Sequence, residues 1–165
     1  MAKVIRLFSV LLPTLLAAGW CVGGELVPNR LATAKTGEWA LYEMPDGYVQ
    51  KHIVAAREGS GPEAEVTIRI ENIYDGQVVE TKELQMEAGE PWRESYFAGD
   101  DTKKVAVETG RTQVAGKDIA TVTVRVTDAE GNESEWVVSP EIPVFGLIRQ
   151  SGAGAPSYRL KEWGE

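Results

Sequence analysis

"AEVTIRIEN", Ala64 to Asn72, alternates apolar and polar residues without a break. A period of two places every second side chain on the same face of a β-strand, whereas an amphipathic helix has a period of 3.6. A second stretch, "IATVTVRVTD" (Ile119 to Asp128), shows the same alternation. Both stretches predict antiparallel strands with one buried and one wet face. The predicted inward residues are Ala64, Val66, Ile68 and Ile70 in the first stretch, and Ala120, Val122, Val124 and Val126 in the second.

Short turn signals separate the apolar runs after residue 37. Asp46-Gly47, Asp75-Gly76 and Ala115-Gly116 are dipeptides typical of tight hairpins, and "DAEGN" (128–132) predicts a fourth connection. The spacing indicates a meander of nine or ten short strands. The predicted fold class is therefore all-β, with one strongly curved antiparallel sheet that forms a half-barrel or a partly open barrel. An N-terminal signal helix and one short helix after Pro28 complete the prediction.

The stretch "EWVVSPEIPVFGLIRQ", Glu135 to Gln150, interrupts this pattern with two prolines and a glycine. Proline has no N–H to donate to a central β-ladder. We therefore expect one strand to end at Ser139 and the next to begin at Val144. Gly146 is expected to permit a sharp bend or bulge in that second strand.

The first 24 residues have the features of a signal peptide. Lys3 and Arg6 precede "LFSVLLPTLLAAGW", an uncharged run too short to cross a membrane comfortably, and small residues place a cleavage site before Glu25. We expect residues 1–24 to direct export to the periplasm or cell envelope and residues 25–165 to form a single β-domain. A buried N-terminal helix is the alternative.

Cys21 is the single cysteine of the chain and raises the alternative of lipidation. Bacterial lipoproteins are acylated on a cysteine in this position, but Trp20 stands where that family has a small residue. Simple secretion is therefore favoured. Membrane attachment is expected only through an uncleaved signal helix or a lipidated Cys21. A chain that starts at Glu25 contains no cysteine and so no disulfide.

The charge of the chain argues against nucleic acid as a partner. The 17 basic residues include Lys3 and Arg6, so a chain that starts at Glu25 carries 15 basic and 25 acidic residues, a net charge of −10. Such a surface repels phosphate backbones.

No residue pattern predicts catalysis, and we expect no enzymatic activity, metal or cofactor. His52 is the single histidine; it shares a predicted strand face with Tyr48, Gln50 and Val54, and we interpret it as lying at the sheet surface. "DAEGNE" lacks the length and spacing of an EF-hand, so a hairpin turn is favoured over a calcium site. A carboxylate-dependent hydrolase remains an alternative, because the distance between two carboxylates is set by tertiary structure.

Four segments resemble a group of exported bacterial β-proteins: "GEWALYEM", "TQVAGKDIATVTVRV", "EWVVSPEIPVFGLIR" and "YRLKEWG". That group is similar in architecture to the half-barrel of periplasmic lipoprotein-carrier proteins. The resemblance covers Gly37 to Gly164 and implies a non-catalytic envelope protein that binds a lipid or a lipoprotein acyl chain on an apolar concave face. A rival resemblance exists, because "VTVRVTDAEGNESEWVVSPEI" is similar to bacterial immunoglobulin-like modules and implies a structural or adhesive β-sandwich.

The residues expected to line an apolar concave face lie in two segments. The polar, aromatic segment from Gly89 to Lys104 is expected to form a lid or plug, and the second segment surrounds Gly146. In a chain of this size, the same side chains could instead fill the core. The predicted ligand-binding residues are Trp92, Tyr96, Phe97, Trp136, Phe145 and Leu147.

Overall fold

The structure is a computed structural model that describes residues 25–27, 30–89, 92–93, 102–152 and 157–165. The predicted signal segment, with Cys21, lies outside these residues. Short 3-10 turns occupy Arg30–Thr33, Pro45–Gly47 and Gly61–Glu63. The described strands are β1 (Glu25–Val27), β2 (Trp39–Glu43), β3 (Val49–Glu58), β4 (Glu65–Tyr74), β5 (Gln77–Glu87), β6 (Trp92–Arg93), β7 (Thr102–Val114), β8 (Lys117–Asp128), β9 (Glu133–Val138), β10 (Leu147–Gly152) and β11 (Tyr158–Gly164).

Nine of these strands form one open antiparallel sheet in the order β5-β4-β3-β2-β11-β10-β9-β8-β7. The remaining two, β1 and β6, pair with each other. The predicted all-β class and the single antiparallel sheet are therefore confirmed. From β2 to β5 and from β7 to β11, strands that follow each other in the chain are neighbours in the sheet, and β11 lies between β2 and β10. The C-terminal strand thus joins the two halves of the meander.

The half of the sheet from β11 to β7 is strongly curved. Cα atoms of β7 and β11 come within 8 Å of each other, although β10, β9 and β8 separate the two strands in the sheet. In a flat sheet, strands four positions apart would lie roughly 19 Å apart. The two strands are not hydrogen-bonded neighbours, so this half curls without closing.

Buried apolar side chains form two clusters. The larger cluster includes Tyr42, Val54, Ile68, Ile119 and Leu160. The smaller cluster consists of four valines of β8 and β9, Val122, Val124, Val126 and Val138. Every strand from β2 to β4 and from β7 to β11 contributes to one cluster or to both.

The predicted strand faces are correct on β4 and partly wrong on β8. Ala64, Val66 and Ile68 are buried and Ile70 is partly buried against them. On β8, however, Ala120 is only half-buried, while Ile119 and Thr121 are buried. Curvature places the start of β8 against the larger cluster and the rest against the smaller one, so both faces of this strand are covered.

The predicted hairpin turns are present. Asp75 and Gly76 have φ values of 49° and 74°, and Ala115 and Gly116 have values of 48° and 77°. Two successive positive φ values are typical of the type I′ turn, whose twist matches that of the flanking strands. The predicted short helix after Pro28 is a single 3-10 turn, Arg30–Thr33.

The segment from Ser139 to Gly146 differs from its prediction. β9 ends at Val138, one residue before the predicted end at Ser139, and β10 begins at Leu147 and not at Val144. The intervening residues form a turn that is closed by a 2.7 Å hydrogen bond from the Ser139 N–H to the Gly146 carbonyl oxygen. Val144, which the sequence pattern predicts as the start of a strand, is instead fully buried in the larger cluster together with Ile142. The turn is therefore held by its own apolar side chains.

Candidate functional site

The six predicted ligand-binding residues fall into two groups. Tyr96 and Phe97 lie outside the described residues, and of Trp92 only the backbone is described, where it pairs with Val27. Trp136 and Leu147 pack against the smaller cluster, and Phe145 and Leu147 pack against the larger one. The structure therefore brings the last three residues to the core, and none of them lines the clefts described next.

A cleft of about 450 Å³ lies inside the curled half of the sheet, between β7, β8, β9, β10 and β11. This volume falls within the range of small-molecule binding sites. The cleft exists because β7 curls back towards β11, so that the five strands enclose a space between them. The sequence predicts a strongly curved sheet, but its periodicity does not indicate which strands curl towards each other.

The floor of the cleft is formed by four apolar residues, beside which lies the buried Thr121, and most of the remaining lining residues are polar. Its four floor residues are each 5–8% exposed, whereas central members of the same cluster, such as Tyr42 and Ile68, are fully buried. The edge of the larger core cluster is therefore open to the cleft. The floor residues are Val114, Val137, Ile148 and Leu160.

Gly110 has no side chain, which leaves free space at one wall of the cleft. It lies in the middle of β7, directly opposite Thr121 of β8, and both residues line the cleft. Among the described residues, a Cβ added at Gly110 would meet only the Thr121 Oγ1, at 3.7 Å, which is an ordinary contact, and the backbone there does not adopt a positive φ. Neither conformation nor packing requires glycine at this position. Glycine within a strand is typical of a place that another group approaches closely.

Two arginines face each other at the rim of the cleft. Arg149 of β10 and Arg159 of β11 are directly opposite in register, so their side chains lie on the same face of the sheet. Like charges in this arrangement destabilise a sheet unless an opposite charge offsets them. A second cleft, of about 330 Å³, is also lined by both arginines, so the pair stands where the two clefts meet.

Only one arginine of this pair has a carboxylate partner among the described residues. Arg149 forms a short ion pair with Glu135, which also accepts a 2.9 Å hydrogen bond from the Arg125 Nε. Burial of Glu135 opposes its ionisation, but the hydrogen bonds from both arginines outweigh burial and lower its pKa. Arg159 is exposed and has no ion pair within the described part of the chain. Glu43 of β2 lies opposite Arg159 in register but pairs with Lys161, so the Arg159 guanidinium is free of an ion pair to a described residue at the rim.

His52 is buried, so its predicted position at the sheet surface is wrong. Its ring is 7% exposed and lies 4.9 Å from the Tyr42 ring and 5.6 Å from the Phe145 ring, measured between centroids. Phe145 belongs to the turn after β9. The sequence pattern does not predict that this turn covers β3. Burial lowers the pKa of His52 to about 4, so the ring is neutral at pH 7.

A chain of side-chain hydrogen bonds runs from His52 to the edge of the sheet. The His52 Nε2 donates to the Gln50 Oε1 at 2.6 Å, Gln50 donates to the Asn72 Oδ1 at 2.8 Å, and Asn72 donates to the Glu80 Oε2 at 2.6 Å. The buried Nδ1 of His52 has no hydrogen-bond partner within the described part of the chain. The direct partner of His52 is thus an amide, which orients the ring but does not take up its proton. The shared face of His52, Gln50 and Val54 is as predicted.

In the acidic turn after β8, the Asp128 carboxylate is hydrogen-bonded within the turn itself. Asp128 accepts hydrogen bonds from the backbone and side chain of Asn132 at 2.8 and 2.9 Å, and the side-chain bond is the main cause of its lowered pKa. This is the pattern of an Asx-type turn. Among the described residues, no three His, Cys, Asp or Glu side chains are grouped so as to hold a metal ion.

The described residues contain no helix with the length and apolar character needed to cross a membrane. Comparison of the chain with protein-family models, with curated proteins and with solved structures finds no match.

Proposed function

We propose that the protein is a non-catalytic, exported binding protein whose curled half-sheet holds an amphiphile with an acyl chain and an anionic head group. The observation that carries this proposal is the combination of an apolar floor with an arginine pair at the rim of one cleft. An acyl chain would cover Val137, Ile148 and Leu160, and its head group would lie against Arg149 and Arg159.

Electrostatics favour an anionic head group. The guanidinium of Arg159 has no carboxylate partner within the described residues, and arginine binds carboxylates and phosphates through two parallel hydrogen bonds. An anion at this position would pair with Arg159 as Glu135 pairs with Arg149. The rest of the surface is acidic, so this rim is a favourable place for a negative charge.

The sequence supports the location and the ligand class. The basic start and apolar run of residues 1–24 favour export to the periplasm or cell envelope. The resemblance to exported proteins of the lipoprotein-carrier type favours an acyl ligand. Additional ligand contacts stay a separate prediction for Trp92, Tyr96, Phe97, Trp136, Phe145 and Leu147.

Binding of three related probes to the purified protein tests the proposal. Palmitate has both parts of the ligand, hexadecanol has only the chain with a neutral head, and acetate has only the head. Isothermal titration should show binding of palmitate, weaker binding of hexadecanol and none of acetate. Native mass spectrometry of the protein purified from its envelope fraction should show a non-covalent adduct that is lost on gentle activation.

Two variants locate the chain and the head group. Gly110→Leu should abolish palmitate binding because its side chain fills the cleft, whereas Gly110→Ala adds one carbon and should retain binding. Arg159→Gln should weaken palmitate binding about tenfold, because a hydrogen bond to a charged group contributes about 1.5–3 kcal/mol. The control Arg69→Gln removes an arginine that pairs with Glu71 on β4.

The outcomes separate the parts of the proposal. Equal affinity of the wild-type protein for palmitate and hexadecanol would remove the head-group role of the arginines. Undiminished binding by Gly110→Leu would place the chain elsewhere. If the wild-type protein binds neither long-chain probe, the proposed function is wrong and a structural module becomes the better hypothesis.

A further inference from the structure

Strand β5 forms one edge of the nine-stranded sheet and is exposed along its whole length. Among the described strands, only β4 pairs with it. Four large apolar side chains of this strand are 38–57% exposed: Val78, Val79, Leu84 and Met86. Long apolar edge strands are templates for pairing with another chain.

The usual protection of an edge is incomplete on β5, which carries one lysine, three glutamates and a bulge but no proline. Native edge strands carry prolines, several lysines or bulges that disrupt pairing. The strand from Gln77 to Glu87 has no proline and one lysine, Lys82. Its pairing with β4 is irregular only beside Val79, where the register shifts between Asn72 and Ile73. The stretch from Glu80 to Glu87 is regular and presents, on its outer side, backbone groups that no described strand pairs with.

We propose that β5 pairs antiparallel with β5 of a second copy of the chain, about a two-fold axis at Leu84. In a symmetric dimer, if residue i lies opposite residue j, then j lies opposite i. The backbone N–H and C=O groups of an antiparallel strand point outward at every second residue. Two residues that lie opposite each other in the dimer therefore have residue numbers that differ by an even number. The axis must therefore pass through a pair of identical residues.

Side-chain charge selects among these registers. An axis at Lys82 or at Glu83 would oppose identical charges, and an axis at Gln85 would oppose Glu83 and Glu87 twice, which destabilises a sheet. An axis at Thr81 would bring the irregular part of each strand, beside Val79, into the pairing.

An axis at Leu84 avoids both problems. It places the two Leu84 side chains opposite each other, Glu83 opposite Gln85, and Lys82 opposite Met86. On the neighbouring strand β4, the buried residues Ile68 and Val66 lie directly opposite Leu84 and Met86. The pairing would therefore extend the larger core cluster across the dimer. This register opposes no like charges and brings the two Leu84 side chains together, which is the reason for choosing a second copy as the partner.

Charge variants at the axis test the dimer. Sedimentation velocity at about 0.15 M salt should show a reversible dimer of the wild-type protein. At this salt concentration, screening limits the range of the repulsion between two acidic chains to about 8 Å. Leu84→Glu and Leu84→Lys should each be monomeric, because each places two like charges opposite each other. An equimolar mixture of the two variants should form a heterodimer, because glutamate then faces lysine. Circular dichroism would verify that both variants fold, as expected at a position that is 44% exposed.

A crosslink tests the register. In a Cys21→Ser background, Leu84→Cys should form an intermolecular disulfide, because opposed Cβ atoms are about 4.5–5.5 Å apart. Met86→Cys is the matched control and should not crosslink, since each Met86 faces Lys82. Three results would each overturn the proposal. The wild-type protein stays monomeric at all concentrations, both charge variants still dimerise, or the mixture of the two variants stays monomeric.

Discussion

The hydroxyl of Tyr42 donates a 3.1 Å hydrogen bond to the carbonyl oxygen of Leu147, although 105 residues separate them in the chain. Leu147 is the first residue of β10 and follows the turn that covers His52. Tyr42 is fully buried, and burial raises its pKa, so the phenol stays protonated and remains a donor. This bond ties the first half of the meander to the curled half that holds the cleft.

Removal of that hydroxyl should cost stability. We expect Tyr42→Phe to lower the free energy of unfolding by about 1 kcal/mol, because one intramolecular hydrogen bond is lost and the Leu147 carbonyl loses its phenol donor. Urea denaturation followed by circular dichroism measures the change. Tyr158→Phe is the control: its ring contacts Tyr42 edge-on at 6.1 Å, but its hydroxyl has no hydrogen bond to a described residue. Equal losses in both variants would contradict the assignment.

The burial of His52 predicts a dependence of stability on pH. Its pKa is about 4 in the folded protein, against an ordinary histidine value of 6.5, so between these values the unfolded chain binds more protons. The stability associated with neutral His52 is fully present above pH 6.5 and is lost as the pH falls towards 4. The loss should amount to about 3 kcal/mol.

The measurement for His52 is the free energy of unfolding of the wild type and of His52→Gln at several values between pH 4 and pH 7. Glutamine can still donate to Gln50 but does not titrate. The difference between the two proteins isolates the histidine from the carboxylates, which both proteins share. Parallel curves would show that His52 does not titrate abnormally.

Gly146 should tolerate substitution less than an exposed turn glycine. It has a φ of +69°, and a Cβ there would lie 2.7 Å from the Ser139 carbonyl oxygen, so alanine meets both backbone strain and a clash. We expect Gly146→Ala to cost at least about 2 kcal/mol. Gly47 has a φ of +78° with nothing within 4 Å of the added Cβ, so Gly47→Ala should cost only about 1 kcal/mol. Thermal denaturation of the two variants compares them directly, and equal costs would show that a small backbone shift relieves the contact with Ser139.

Gly110→Ala should stabilise the protein. Glycine within a strand is less stable than alanine by about 0.5–1 kcal/mol, and the added methyl group has ordinary space beside Thr121. A rise of this size in the free energy of unfolding, measured in urea, would show that glycine at this position does not serve the fold. A loss of stability would mean that the cleft wall is tighter than the structure shows.

Much of the fold was predictable because it depends on neighbours in the chain. The alternation along β4 decides which of its side chains face the core, and the Asp75-Gly76 and Ala115-Gly116 dipeptides favour the positive φ values that hairpins need. The prediction for Val144 is wrong, because an apolar residue after a proline has the same pattern whether it begins a strand or anchors a turn.

The candidate site depended on tertiary structure. Arg149 and Arg159 are neighbours because the consecutive strands β10 and β11 pair antiparallel, but only the curl of the sheet places them at the rim of a cleft. Gly110 was visible in the sequence, but its meaning depends on the curl that brings β7 towards β11.

The sequence by itself determined the strand class, the turn positions and the inward face of β4, since side-chain alternation and turn preferences act over a few residues. The tertiary structure alone decided that His52 is buried beneath Phe145 and that two arginines share the rim of a cleft. These features depend on the curvature of the sheet and on contacts between residues far apart in the chain, because burial and charge pairing are properties of three-dimensional neighbours.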